Sequence, residues 1–370
     1  MHAFRPTGGV LLALTILLTA CSREPAPPAS TSSSTPSSAP SPAPSPSVRV
    51  YVSDETGGNV VVVDPDSGQI IERIPVGKRP RGLKISRDGA QLFVALSGSP
   101  IAGPGVDEST LPPPDRSADG IGVVDLATLK VVRTYETGQD PESFDMAPDG
   151  KTLYVSNEDA AQMSVLDLTS GTVRARVSVG EEPEGVTVRP DGREVYVTCE
   201  GNNEVVAVDT ATNTVVGRIK VKPRPRSVAF TADGRTAFVT AENGAAVDVI
   251  DSATRTVAGS IVIPPRPGAP TAPRPMGAIL SPDGRELFVS LGRAKSVAVI
   301  DVASRTFMRA IDEVGARPWG IGVSPDGRKL FTANGSSADV SVIDISSGKV
   351  ARQIAVGGSP WGLDVARAAR

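Results

Sequence analysis

From Val48 onward the chain alternates apolar and polar positions at a period of two, in short runs broken by turn-forming residues. One stretch shows the pattern four times in succession: REVYVTCE (193–200), EVVAVD (204–209), TVVGRIKV (214–221) and RSVAFTADG (226–234). Each run predicts a strand, and the four together predict one antiparallel unit. An Asp-Gly turn punctuates the repeat at Asp88, Asp149, Asp191, Asp233, Asp283 and Asp326, with spacings of 61, 42, 42, 50 and 43 residues. A period near forty residues with four short strands per unit predicts an all-β, seven-bladed β-propeller over residues 48–370.

The phase of the repeat predicts how the ring closes. The domain opens on VYVSD, a second strand, and ends on WGLDVA, a first strand. The final strand should therefore complete the first blade beside Val50–Ser53 and remove two open sheet edges. The aromatic series Tyr51, Phe93, Tyr154, Tyr196, Phe238, Phe288 and Phe331 occupies one strand position in every unit and is expected to pack between blades. A second series, Asp64, Asp125, Asp167, Asp209, Asp251, Asp301 and Asp344, precedes turns and is expected to cap them.

Composition adds limits. The formal net charge is −3, which gives no electrostatic footprint for duplex nucleic acid. Residues 1–20 carry Arg5, then the apolar stretch Val10–Leu18, then Leu18-Thr19-Ala20-Cys21. The apolar stretch is too short to span a bilayer. The segment resembles a bacterial lipoprotein signal, which implies cleavage before Cys21, lipidation of its thiol and membrane attachment at the cell envelope, with an outer-membrane destination facing the periplasm. Residues 21–47 are nearly all Ser, Pro, Ala and Thr and are expected to form a disordered tether. Loss of residues 1–20 would remove His2, the one histidine, and leave Cys199 as the one internal cysteine.

The phrases LYVSN (153–157) and VYVTC (195–199), with the SPDG turns, resemble YVTN-type β-propeller repeats along the whole of residues 48–370. The ordered series KRPRG (78–82), QDPES (139–143), EEPEG (181–185), KPRPRS (222–227), ARPWG (316–320) and SPWG (359–362) is similar to the subfamily associated with PQQ-dependent alcohol catabolism and transport. That resemblance implies an envelope propeller near a quinoprotein dehydrogenase or transporter component, and no established activity.

Departures from the repeat point to one face. About 19 extra residues fall within 97–120, between second and third strands, and about 8 within 264–275, entering a first strand. In a four-stranded meander these loops share a face, and clustered insertions mark binding faces. The residue after each loop proline should line the channel mouth there: Arg81, Glu142, Glu184, Arg226, Met276, Trp319 and Trp361. The residue before it gives a second ring with Arg79, Asp140, Glu182, Arg224, Arg274, Arg317 and Ser359, and the loops after the second strands add Asp54, Glu158, Glu200 and Glu242.

Three functions compete for this ring. Arg and Glu could simply pair around the rim while Trp319, Trp361 and Met276 plug the channel. If instead the ring forms a pocket, the leading expectation is a non-catalytic binding or scaffold protein whose tryptophans stack a planar anionic ligand, PQQ among the candidates, beside Arg81 and Arg226. No cofactor is required by this reading. The second is a lactonase-like or other carboxylate-dependent hydrolase, with Glu142, Glu158, Glu184 and Glu200 as weak Ca²⁺ ligands; the missing histidines remove His-based acid–base and nucleophilic sites. The third is single-stranded nucleic-acid binding through Arg and stacking aromatics.

Overall fold

The computed structural model describes residues 48–101, 107, 110–265 and 272–367. The leader expected over 1–20, the lipidated Cys21 and the tether over 21–47 lie outside the described residues, as do parts of both insertions. Seven four-stranded antiparallel sheets are arranged as successive blades. Their innermost strands are Pro80–Ile85, Pro141–Met146, Pro183–Val188, Pro225–Phe230, Pro275–Leu280 and Pro318–Val323 in blades 2 to 7, and Pro360–Arg367 in blade 1. Blade 1 thus consists of the last strand followed by Val48–Asp54, Asn59–Asp64 and Gln69–Pro75, with Val48 opposite Arg367 and Asp54 opposite Pro360. The ring closes as the repeat phase predicts.

Burial explains the two kinds of pattern along the chain. Second strands such as Thr152–Asn157 and Glu194–Cys199 are buried at every residue, because neighbouring blades cover both of their faces. Outermost strands such as Thr214–Lys220 keep alternate residues exposed. The aromatic series lies between blades as expected: all seven members are buried, and Tyr196 of blade 4 meets Phe230 of blade 5 edge-on at 4.9 Å between ring centroids. The Asp series caps its turns, as where the Asp209 carboxylate accepts from the Ala211 and Thr212 amides at 3.1 and 2.8 Å.

The polar positions of the second strands are not solvent-facing. Two residues after the aromatic stand Ser53, Ser156, Thr198, Thr240 and Ser290, all fully buried. Each hydroxyl donates to the backbone carbonyl of the next blade's inner strand, at Arg81, Glu184, Arg226, Met276 and Trp319, over 2.6 to 3.1 Å. Each also accepts an amide of its own inner strand, at Gly362, Ser143, Gly185, Ser227 and Gly277. The hydroxyl therefore satisfies an amide freed by a local register shift and clasps the neighbouring blade. Ala95 and Ala333 stand at the equivalent places in blades 2 and 7 and break the series.

Two outcomes follow from closure and clasping. Deleting residues 360–370 should leave blade 1 without its inner strand and abolish the single cooperative unfolding transition followed by far-ultraviolet circular dichroism; an unchanged melting temperature would show that closure is dispensable. Ala333→Ser should restore a clasp, here to the Trp361 carbonyl, and add about 1 kcal/mol of stability in urea unfolding.

Candidate functional site

The mouth of the channel is built by the first residues of the seven inner strands. Before the strand proline the backbone turns left-handed at Arg79, Asp140, Glu182, Arg224 and Arg317, with φ between 44° and 61°. Non-glycine residues seldom adopt this conformation, and the repetition marks it as a built feature of the loop. Register shifts then follow each proline, as between Pro80 and Leu83 and between Pro318 and Ile321. A small residue comes third in the strand, and it must: a Cβ on Gly277 or Gly320 would lie 2.7 Å from the carbonyl oxygen of Trp319 or Trp361.

The ring residues expected from the sequence do converge, and their charges sort into two cages. Arg81 is buried against Glu142, with Glu158 at 3.6 Å, Glu55 at 3.8 Å and Asp140 at 3.9 Å. Arg79 reinforces it through Glu55 at 3.0 Å and Asp140 at 3.8 Å. Arg226 contacts Glu200 and reaches Glu184 at 3.0 Å and Glu242 at 2.8 Å. Arg224 adds Glu200 at 2.7 Å and Glu242 at 3.2 Å, and Arg274 adds Glu242 at 3.1 Å. Glu142, Glu158, Glu184 and Glu200 are thus split between two guanidinium groups instead of forming one cation site. The carboxylate oxygens that come together are those of Asp140, Glu142 and Glu158, within 4.8 Å of one another, and Arg81 supplies the positive charge there. These donors do not fit Ca²⁺ unless Arg81 is displaced.

One expected position moves by a residue. Asp54 does not face the mouth: its carboxylate accepts from the Gly57 amide at 3.0 Å and the Ser359 amide at 2.9 Å, capping its own turn and pinning the last inner strand. Glu55 takes the place beside Glu158, Glu200 and Glu242, each four residues after its aromatic.

Trp319 and Trp361 are neighbours, with ring centroids 5.3 Å apart and planes inclined by 33°. Guanidinium groups cover them: Arg81 lies 5.3 Å from the Trp361 ring centre, and Arg226 and Arg317 lie 4.8 and 5.1 Å from Trp319. Such contacts hold the cations in place by attraction to the ring faces. Met276 is buried beside them and lines the channel below.

Above this floor sits the first insertion. Its described part includes a single 3-10 turn at Arg116–Ala118 and is tied down by Lys78–Asp115 at 2.6 Å, by Arg116–Asp159 at 2.5 Å and by the Gly98 amide on Asp119 at 2.6 Å. Pro100, Ile101 and Leu111 to Pro114 roof a cavity of about 370 Å³ whose floor carries both Arg-centred cages and both tryptophans. The insertion therefore lies on the face expected from the strand connections. The linear pattern carries no signal for the salt bridges that hold it there.

Burial separates the acids of the second cage. Desolvation, joined by repulsion from Glu184, pushes the Glu200 carboxyl up to about 9 against the pull of Arg226 and Arg224. Burial also raises Glu242, but Arg226, Arg224 and Arg274 outweigh it and hold that carboxyl below its ordinary 4.5. Desolvation leaves Glu158 raised despite Arg81, and pushes the buried Cys199 thiol up to about 12, which leaves it unreactive. The Glu242 ion pairs thus stabilise the fold above pH 4.5 and are lost as pH falls through its lowered value. Glu200 favours the fold below pH 4.5, and that contribution is lost as pH rises towards 9. At pH 7 Glu242→Gln should cost about 3 kcal/mol in urea unfolding, a deficit that vanishes in acid. Glu200→Gln should be close to neutral below pH 4.5 and gain steadily on the wild type as the pH rises from there towards 9.

Comparison with known proteins agrees with this architecture. The Pseudomonas aeruginosa periplasmic gluconolactonase PpgL superposes with a TM-score of 0.68 over 87% of this chain and 99% of its own, at 21% identity. Antigen Lp49 of Leptospira interrogans is 28% identical over 30% of this chain, and the uncharacterised protein YncE of Salmonella typhi is 30% identical over 29% of it. The matched stretches span about a quarter of the length of these two curated relatives. The family model for YNCE-like beta-propellers matches residues 107–192 and 189–369, so the chain belongs to the YNCE-like β-propeller family.

Proposed function

We propose that the protein is a non-catalytic binding propeller whose ligand is a small amphipathic anion held in the roofed chamber. The observation that carries this reading is Arg317. It faces the chamber at the Trp319 ring and has no carboxylate partner among the described residues, whereas Arg79, Arg81, Arg224, Arg226 and Arg274 are all paired. A free guanidinium beside an apolar roof of Pro100, Ile101 and Leu111 to Pro114 selects a ligand with a carboxylate or phosphate at one end and an apolar or planar body. Paired cations and carboxylates elsewhere on the floor set the position of the ring without competing for the ligand.

The wider setting rests on the sequence. Anchoring at the envelope through Cys21 follows from the lipoprotein-like leader. Association with PQQ-dependent catabolism, with PQQ as a ligand or a dehydrogenase or transporter component as a docking partner, follows from the ordered proline-loop series alone. A roofed chamber suits one planar group better than a strand of nucleotides, so single-stranded nucleic acid fits less well. Lactone hydrolysis is a second reading, favoured by one observation: the protonated Glu200 carboxyl lies in the same Arg226 cage as Glu184, so an acid stands beside a carboxylate. The similar shape of PpgL, which is named a periplasmic gluconolactonase, supports this second reading.

Trp319 and Trp361 are the only tryptophans in the chain, so intrinsic emission reports on this site alone. Titration with benzoate, naphthoate and PQQ should quench that emission saturably for at least one of them. Arg317→Ala should weaken the response about tenfold or more, the loss expected for one charge-assisted contact. Saturable quenching that is indifferent to Arg317→Ala, or turnover of gluconolactone that disappears in Glu184→Gln, would overturn the binding reading in favour of another.

A further inference from the structure

A second cavity, of about 140 Å³, lies in the channel on the far side of the tryptophan layer. It shares Glu184, Arg226, Trp319 and Trp361 with the roofed chamber, and these four side chains form the partition between the two spaces. Beyond the partition the lining changes. One arc is apolar: Met276, the two indoles and the bare backbone of Gly277 and Gly320. The opposite arc presents hydroxyls at Ser143, Thr187 and Ser227. Thr187 is committed to the Val228 carbonyl at 2.9 Å. Among the described residues the hydroxyls of Ser143 and Ser227 make no hydrogen bond; the backbone groups of these residues are engaged by the clasps of Ser156 and Thr240.

We infer that this inner cavity is a separate subsite for one six-membered ring bearing a hydroxyl group. The size is set by comparison: an engineered apolar cavity of about 150 Å³ in an unrelated protein holds a single benzene. The ring class is set by the apolar arc, where the Met276 thioether and the indole surfaces offer the polarizable contacts that unsaturated or saturated rings accept. The substituent is set by the polar arc. The unpaired hydroxyls of Ser143 and Ser227 both donate and accept, and the Glu184 carboxylate accepts, so a neutral hydroxyl finds both kinds of partner. An ionised substituent is excluded here, because Arg226 is already surrounded by Glu184, Glu200 and Glu242 and has no charge left to neutralise. The alternative occupant is a cluster of four or five waters, at ~30 Å³ each.

The inference does not depend on the anion reading of the outer chamber, and one set of titrations separates them. With excitation at the red edge of indole absorption, phenol and cyclohexanol should each shift the emission of Trp319 and Trp361 saturably. Arg317→Ala should leave both responses unchanged. Met276→Phe fills the cavity and should abolish them while leaving the benzoate response of the outer chamber intact; if that variant does not fold, Ser227→Val fills the same space from the opposite wall. Ser227→Ala should weaken phenol fivefold to tenfold and leave benzene unaffected. No saturable response to either alcohol means water only and overturns the proposal. An equal response in the filled variants, or loss of the alcohol response in Arg317→Ala, overturns it as well by placing the alcohols in the outer chamber.

Discussion

The convergence of seven inner strands on one axis is the constraint from which the rest of the structure follows. Side chains at the second position of each strand are forced together, so their properties must be complementary around the ring. Where two acids and a base meet, the guanidinium takes the centre, as Arg81 and Arg226 do. Where no charge is present, the indoles of Trp319 and Trp361 fill the space and the flanking cations lie on their faces. The same convergence brings an incoming carbonyl within 2.7 Å of where a Cβ would stand on Gly277 and Gly320, the third residues of their strands.

Burying this many charges is costly unless each finds a partner, and the cost shapes the chemistry of the mouth. Glu242, with three guanidinium groups near it, stays ionised, while Glu200, squeezed against Glu184 in the same cage, holds its proton. Two carboxyls on one arginine thus acquire opposite characters from their surroundings alone. Arg and Glu pair around the rim, and a space is open on either side of the tryptophan layer.

The alternation of apolar and polar residues and the Asp-Gly turns made the blades readable, because strand period and turn chemistry are local properties. Closure was readable from phase. The mouth ring was readable as well, since the proline loop repeats in register. Other features were hidden for physical reasons. Asp54 and Glu55 are adjacent acids, and which of them faces the channel depends on a turn that the carboxylate of Asp54 caps. The division of four glutamates between two arginines depends on distances across blades, which no single strand encodes. The buried hydroxyls of Ser53 and its equivalents occupy polar positions of the alternation, and a period of two does not tell a neighbouring blade from water.

The strand Pro360–Arg367 gives ring closure a consequence for the order in which the protein is made. It carries Trp361, half of the indole pair, and it also completes the first blade. During synthesis six blades can assemble while the first waits, three-stranded, for Pro360–Arg367 to emerge. A polypeptide interrupted before Pro360 lacks the second indole, the ring face that holds Arg81 and the strand that seals the sheet, so the protein cannot acquire its mouth before it has finished folding.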